Sequence, residues 1–336
     1  MDILNALVLL ANFVLVPAIS YGSQLALGAL GITMIYAILR FSHFAHGDVM
    51  AFGTGAVILT TWGLQGAGVS LGPLPTALLA LPVGIAASAA VLLVADRSVY
   101  RFYRRVKAKP IVIVMASLGV MFVVNGLVRF IIGPNDQNFA DGARFLFTVR
   151  EFRDFTGLAE GMGLRVSQVI TVVVTGIVVA VLFWFLNRTR TGKSMRAFSD
   201  NEDLALLSGI NPERVVFVTW IIVAALITIA GTLYGLDKSF KAFTYFQLLL
   251  PMFAAAILGG MGNPLGAVAG AFVIAFSEVG VTYAYRKFLE YLLPDGMAPS
   301  GLVQLLSTDY KFAVSFVLLV IVLLVRPTGL FRGQTL

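Results

Sequence analysis

The feature that most limits the fold is the uninterrupted apolar run. Val169 to Leu186 is the clearest, and it lacks the polar and apolar alternation of a membrane barrel strand. A run of about 20 such residues, coiled as a helix, covers the ~30 Å hydrocarbon core of a bilayer. Lipid offers no partner to a backbone N–H or C=O, so a spanning segment must be a helix or part of a closed barrel. The missing alternation selects the helix. Of the 336 residues, 59% are hydrophobic and 12% charged, and the mean hydropathy is +0.91, whereas soluble domains carry about 25% charged residues. The sequence therefore predicts an all-α, polytopic integral membrane protein whose solvent is membrane lipid.

Apolar segments lie near Ile3 to Ser20, Tyr21 to Leu39, Val49 to Trp62, Leu74 to Ala95, Pro110 to Ile132, Val166 to Leu186, Val215 to Leu236, Leu248 to Gly259, Leu265 to Val281 and Phe312 to Val325. They predict one transmembrane domain over residues 1–336 with about 8–10 transmembrane or re-entrant helices. Leu248 to Gly259 would reach only ~18 Å as a helix, so it is read as part of a broken or re-entrant element. The first two segments meet at Ser20 and Tyr21 with Pro17 nearby, which fits either two spans or an interfacial helix leading into one. Gly266 and Gly270 form a small-xxx-small pair suited to close helix approach.

The net charge of +7 sits in short loops between apolar runs, which reads as topology rather than as a surface for nucleic acid. Arg97, Arg101, Arg104, Arg105, Lys107 and Lys109 share one loop, Arg188, Arg190, Lys193 and Arg196 another, and Arg326 and Arg332 follow the last run. These regions, and with them the C-terminus, are expected in the cytoplasm. Residues 133–165 mix acids and bases and are expected on the outer, periplasmic face. The N-terminus, Met-Asp with no basic leader, is read as a retained helix starting on the cytoplasmic side. The absence of cysteine excludes disulfides and thiol chemistry.

Within the second basic loop, residues 187–214, Ser199 and Glu202 have capping-box spacing and predict a helix over Asp200 to Ser208. Gly209 supplies a left-handed terminus, and Asn211 with Pro212 starts the next span. Asp200, Glu202 and Asp203 suit the first turn, while Leu204 and Leu207 give an apolar side. So short a helix needs a support, either the protein's own helix ends or a docked partner.

Polar groups inside apolar runs are expensive in lipid and mark packing or a solute path. Asn125 reads either as an interhelical hydrogen bond or as a path residue. Glu278 reads either as an outer carboxylate paired with Arg286 or Lys287 or as a path residue. Gly259, Gly260 and Gly262 suit a break that offers backbone groups to a solute, or close packing. His43, His46 and Asp48 hold three metal-ligand types within six residues, yet a stable site needs further ligands, so no metal is assigned. With Gly47 they are read as a helix break near the cytoplasmic side, Asp48 capping the helix that follows. No G-x-x-x-x-G-K-[ST] loop is present, so this chain carries no ATP site of that type and is not assigned as an enzyme.

Four ordered motifs carry a resemblance: FSHFAHGD at Phe41 to Asp48, RTRTGKSMRAFSDNEDLALLSGINPERV from Arg188 to Val215, ILGGMGNPLGAVAG at Ile257 to Gly270 and RPTGL at Arg326 to Leu330. Together they resemble the permeases of branched-chain amino-acid ABC importers, the LivH/LivM type. That resemblance implies an ABC importer permease fold in the bacterial inner membrane, paired with a second permease, identical or homologous. It further implies two cytoplasmic ATPase subunits that bind ATP and magnesium, and a periplasmic solute-binding protein. The loop helix becomes the element coupled to the ATPase, with Gly192, Arg196, Ser199, Asp200, Glu202, Asp203, Leu204, Ala205, Leu207 and Gly209 as its residues. Branched-chain or other amino acids lead as solutes, with amides, urea and small aromatic acids open. Rival classes are a secondary transporter or channel that needs no ATPase, and a membrane-embedded enzyme built on His43, His46 and Asp48.

Overall fold

The computed structural model describes residues 2–139, 144–294, 299, 301–326 and 328–331, so Arg332 and residues 140–143 of the expected periplasmic segment lie outside the described residues. Eight helices are long and apolar enough to cross a membrane: α1 (Asp2–Leu39), α3 (Ala77–Arg105), α4 (Pro110–Ile132), α6 (Val166–Arg188), α9 (Pro212–Asp237), α10 (Ala242–Gly259), α11 (Pro264–Thr282) and α13 (Thr308–Val325). Chain continuity makes α2 (His46–Gly66) a ninth crossing among the described residues. Short helices α5 (Val149–Thr156), α7 (Arg190–Asp200), α8 (Glu202–Leu207) and α12 (Arg286–Leu292), and a hairpin of β1 (Phe145–Phe147) with β2 (Leu164–Arg165), lie between them.

The first two apolar segments are one helix. Pro17 would oppose the carbonyl of Phe13, and α1 absorbs this through a π-helical turn at Ala11–Leu15 instead of breaking. The continuous path places the N-terminal end of α1 against residues 133–165, where Glu160 N–H donates to Asn5 Oδ1 at 3.2 Å and Gly163 N–H donates to Asn12 Oδ1 at 3.1 Å. Its other end, Arg40, donates to the Ser199 carbonyl in the basic loop. The two ends of the described chain therefore lie on opposite faces, which corrects the expectation that both share one. Leu330 N–H donates to Leu258 O at the basic face, whereas Asp2 begins on the opposite face.

The core is built around α1, where Leu25 to Ile35 are buried against α9, α10 and α11. Small residues set those distances, because lipid gives no hydrophobic drive between helices. A Cβ on Gly28 would lie 2.1 Å from Met252 Sδ. The expected Gly266 and Gly270 pair lies at the contact of α10 and α11. There a Cβ on Gly270 would stand 2.2 Å from Ala255 O and one on Gly266 2.0 Å from Gly259 O. The short segment before Gly259 is a broken helix, turning at Leu248 between Ala242–Gln247 and Leu249–Gly259.

Residues 133–165 carry a true capping box. Thr148 Oγ1 accepts from Glu151 N–H while the Glu151 carboxylate accepts from Thr148 N–H at 2.6 Å, which holds that carboxyl below its usual range. Buried Glu160 ties this segment to α12 through Tyr291 at 3.1 Å and Lys287 at 3.5 Å.

Candidate functional site

Three groups of sequence-predicted residues occupy three separate places. The first is the start of α2. His46 Nε2 donates to Gly28 O at 3.0 Å, about 16 Å along α1 from its end at Leu39. The stretch from Phe41 to Ala45 therefore climbs roughly half the membrane without helix, which is tolerated because it is enclosed by protein. Phe41, His43 and Ala45 are all buried. His43 Nε2 pairs with the Tyr100 hydroxyl at 3.0 Å, and its ring stands 5.3 Å from that of Trp220. Asp48 does not cap α2. Its Oδ1 accepts from Asn125 Nδ2 of α4 at 2.6 Å, because the first turn of α2 aims that side chain sideways at α4. The two histidines and the aspartate are thus drawn to three different partners. Gly47 permits a close approach, since a Cβ there would lie 2.6 Å from Tyr245 O of α10.

The second place is a cavity of about 750 Å³ that opens on the face opposite the basic loops. Glu278 lies in it about one turn from the end of α11 and is 1% exposed. It does not pair with Arg286 or Lys287, as an outer carboxylate would. Arg286 pairs with Glu290 at 2.9 Å and Lys287 with Glu160 at 3.5 Å. The Ser315 hydroxyl of α13 donates to Glu278 Oε1 instead. Tyr21 and Lys311 line the same space. Sequence reasoning missed Tyr21, Lys311 and Ser315: the first is masked by an apolar run, and the others begin a span with no local signal of what faces them.

Gly259, Gly260 and Gly262 belong to neither place. They turn the chain from α10 to α11 at the basic face, with φ of +102° at Gly260 and +84° at Gly262, values that favour glycine. Asn263 then caps α11 by accepting from Gly266 N–H at 3.1 Å.

The third place is the basic loop, which forms two short helices instead of one. Gly192, Met195 and Phe198 are buried along one side of α7, and this packing carries the helix through Ser199 to Asp200. Ser199 is therefore inside a helix, and the expected capping box with Glu202 is replaced by Asn201. Extended Asn201 accepts from Leu204 N–H at 3.0 Å and starts α8. The far end closes as expected: Gly209 at φ +78° donates to Leu206 O and Ile210 N–H donates to Ala205 O, a Schellman arrangement. Ala205 is buried, whereas Leu204 is 61% and Leu207 85% exposed, joined by Leu206, which the sequence reading passed over. Arg196 and Asp200 line a hollow on the same face, and Glu202 and Asp203 border another that Arg101, Arg105 and Lys107 enter.

Residues 14–323 match the family described as the branched-chain amino acid transport system permease component. The LivH high-affinity branched-chain amino acid permease protein of Escherichia coli K12 is 29% identical over 313 residues, 93% of this chain and 92% of the relative. The BraD permease protein of Pseudomonas aeruginosa is 27% identical over 317 residues, 94% of each. A probable LivH of Methanocaldococcus jannaschii is 26% identical over 325 residues, 95% of this chain and 92% of the relative. No solved structure matches.

Proposed function

Because this chain belongs to the family of branched-chain amino acid transport permease components, we propose that it is the permease subunit of an ATP-driven importer in the bacterial inner membrane. It moves a small polar solute, a branched-chain or another amino acid, by alternating access. Two cytoplasmic ATPase subunits, which bind ATP and magnesium, drive the cycle. A second permease, identical or homologous, completes the pathway, and a periplasmic binding protein delivers the solute. Positive charge puts the basic loops on the cytoplasmic side.

One observation carries the coupling role. Helix α8 has both ends capped and its one buried residue, Ala205, turned inward, yet it leaves Leu204, Leu206 and Leu207 exposed on the basic face. Apolar side chains held outward on a preformed helix are what a partner's groove requires. Leu204→Asp removes one of these contacts and leaves both caps intact. Co-expressed with its ATPases, that variant is expected to insert normally and to lose ATPase subunits on purification. Undiminished co-purification would remove α8 from the interface.

A further inference from the structure

We propose that the cavity lined by Tyr21, Glu278 and Lys311 is a binding site for a free α-amino acid in its zwitterionic form, entered from the face opposite the basic loops. The Tyr21 hydroxyl faces the carboxyl of Glu278, but neither that buried hydroxyl nor Glu278 Oε2 completes a hydrogen bond of full geometry. Both line the cavity, and such groups are costly to leave unmatched. Lys311 Nζ lies over the rings of Tyr21 at 5.7 Å and Phe312 at 4.7 Å. It is near enough to feel the charge of Glu278 yet makes no ion pair with it. The other cations around the cavity are engaged: Arg286 with Glu290, Lys287 with Glu160, and Lys238 with Asp237 at 3.7 Å.

One acid and one base thus face the same space across a gap too wide for them to close directly. A ligand with an ammonium and a carboxylate on adjacent atoms fits this arrangement. Its ammonium donates to Glu278 Oε2, and its carboxylate accepts from Lys311. The Phe13 and Tyr283 rings, stacked at 6.2 Å, give the side chain an apolar wall. A lone cation would leave Lys311 unmatched, a lone anion would leave Glu278 so, and a volume of about 750 Å³ lies within the usual range of small-molecule sites.

The inference rests on the importer reading for why an amino acid reaches this face, and its test is separable from that reading. Saturable binding to the full-length protein in lipid nanodiscs is measured for L-leucine, for 4-methylpentanoate, which lacks the ammonium, and for isoamylamine, which lacks the carboxylate. L-leucine is expected to bind, and each analogue to bind at least about tenfold more weakly, the loss of one charge-assisted contact. Glu278→Gln and Lys311→Gln are each expected to weaken L-leucine at least about tenfold, whereas Glu278→Gln is expected not to weaken 4-methylpentanoate. Tyr21→Phe, which removes only the hydroxyl facing Glu278, is the mildest change to the site and is expected to weaken L-leucine as well. The proposal is overturned if L-leucine does not bind, if either analogue matches it, or if folded Glu278→Gln and Lys311→Gln bind it as the unaltered protein does. Absent binding alongside intact ATPase coupling rejects this site alone, whereas failure of ATPase association rejects the importer reading.

Discussion

Asn125→Leu tests the link between α2 and α4 at membrane depth. Leucine keeps the branched four-heavy-atom shape of the side chain and removes the donor at 2.6 Å from Asp48 Oδ1. Asp48 is 1% exposed and its Oδ2 already lacks a partner, so the change leaves a buried carboxyl with no side-chain donor. Stranding such a group costs about 1–3 kcal/mol. This exceeds the ~0.6 kcal/mol average of interhelical hydrogen bonds in membranes, because the acceptor here is an acid without an alternative. Asp48→Leu combined with Asn125→Leu removes both groups and is expected to recover part of the loss, giving a coupling energy of at least about 0.5 kcal/mol. Denaturation midpoints of the purified protein in one lipid mixture measure Asn125→Leu, Asp48→Leu and the double variant, with solute uptake recorded beside them. Equal stability of Asn125→Leu and the unaltered protein, or strict additivity in the double variant, would mean that the Asn125–Asp48 hydrogen bond does not hold α2 against α4.

Gly270→Ala adds only a Cβ, but 2.2 Å from the Ala255 carbonyl, so α10 and α11 must separate; a loss of about 1–3 kcal/mol in unfolding is expected. Gly209→Val meets open space but a φ of +78°, so its cost of about 1–2 kcal/mol is conformational, and Gly209→Asn is expected to retain ATPase association where valine weakens it. The chain lacks cysteine, so single cysteines report sidedness directly. In intact cells an impermeant thiol reagent is expected to label positions 3 and 138 and to spare 98 and 193; labelling of 98 or 193 contradicts the topology.

The long spans were legible because about 20 apolar residues in lipid have little choice but a helix. What escaped were decisions made by distant contacts. Pro17 reads locally as a break, yet one π turn lets α1 continue, and that single event reverses the side on which the chain starts. Ser199 and Asn201 are both good caps two residues apart, and only the burial of Met195 and Phe198 on α7 decides for Asn201. The cluster of His43, His46 and Asp48 looks convergent along the chain, but the non-helical climb sends each to a different neighbour. The acid at Glu278 was visible, while Tyr21 and Lys311, hundreds of residues apart in sequence, had nothing to announce that they meet it.

The most direct test of the importer assignment is ATP hydrolysis by the chain assembled with its ATPase subunits and second permease in lipid vesicles, with solute-loaded binding protein added. Hydrolysis is expected to rise with loaded binding protein, to be accompanied by solute accumulation inside the vesicles, and to lose that stimulation in Leu204→Asp while the permeases remain inserted. Solute movement that proceeds unchanged without ATPases or ATP would contradict the account and make this chain a transporter or channel that needs no such drive.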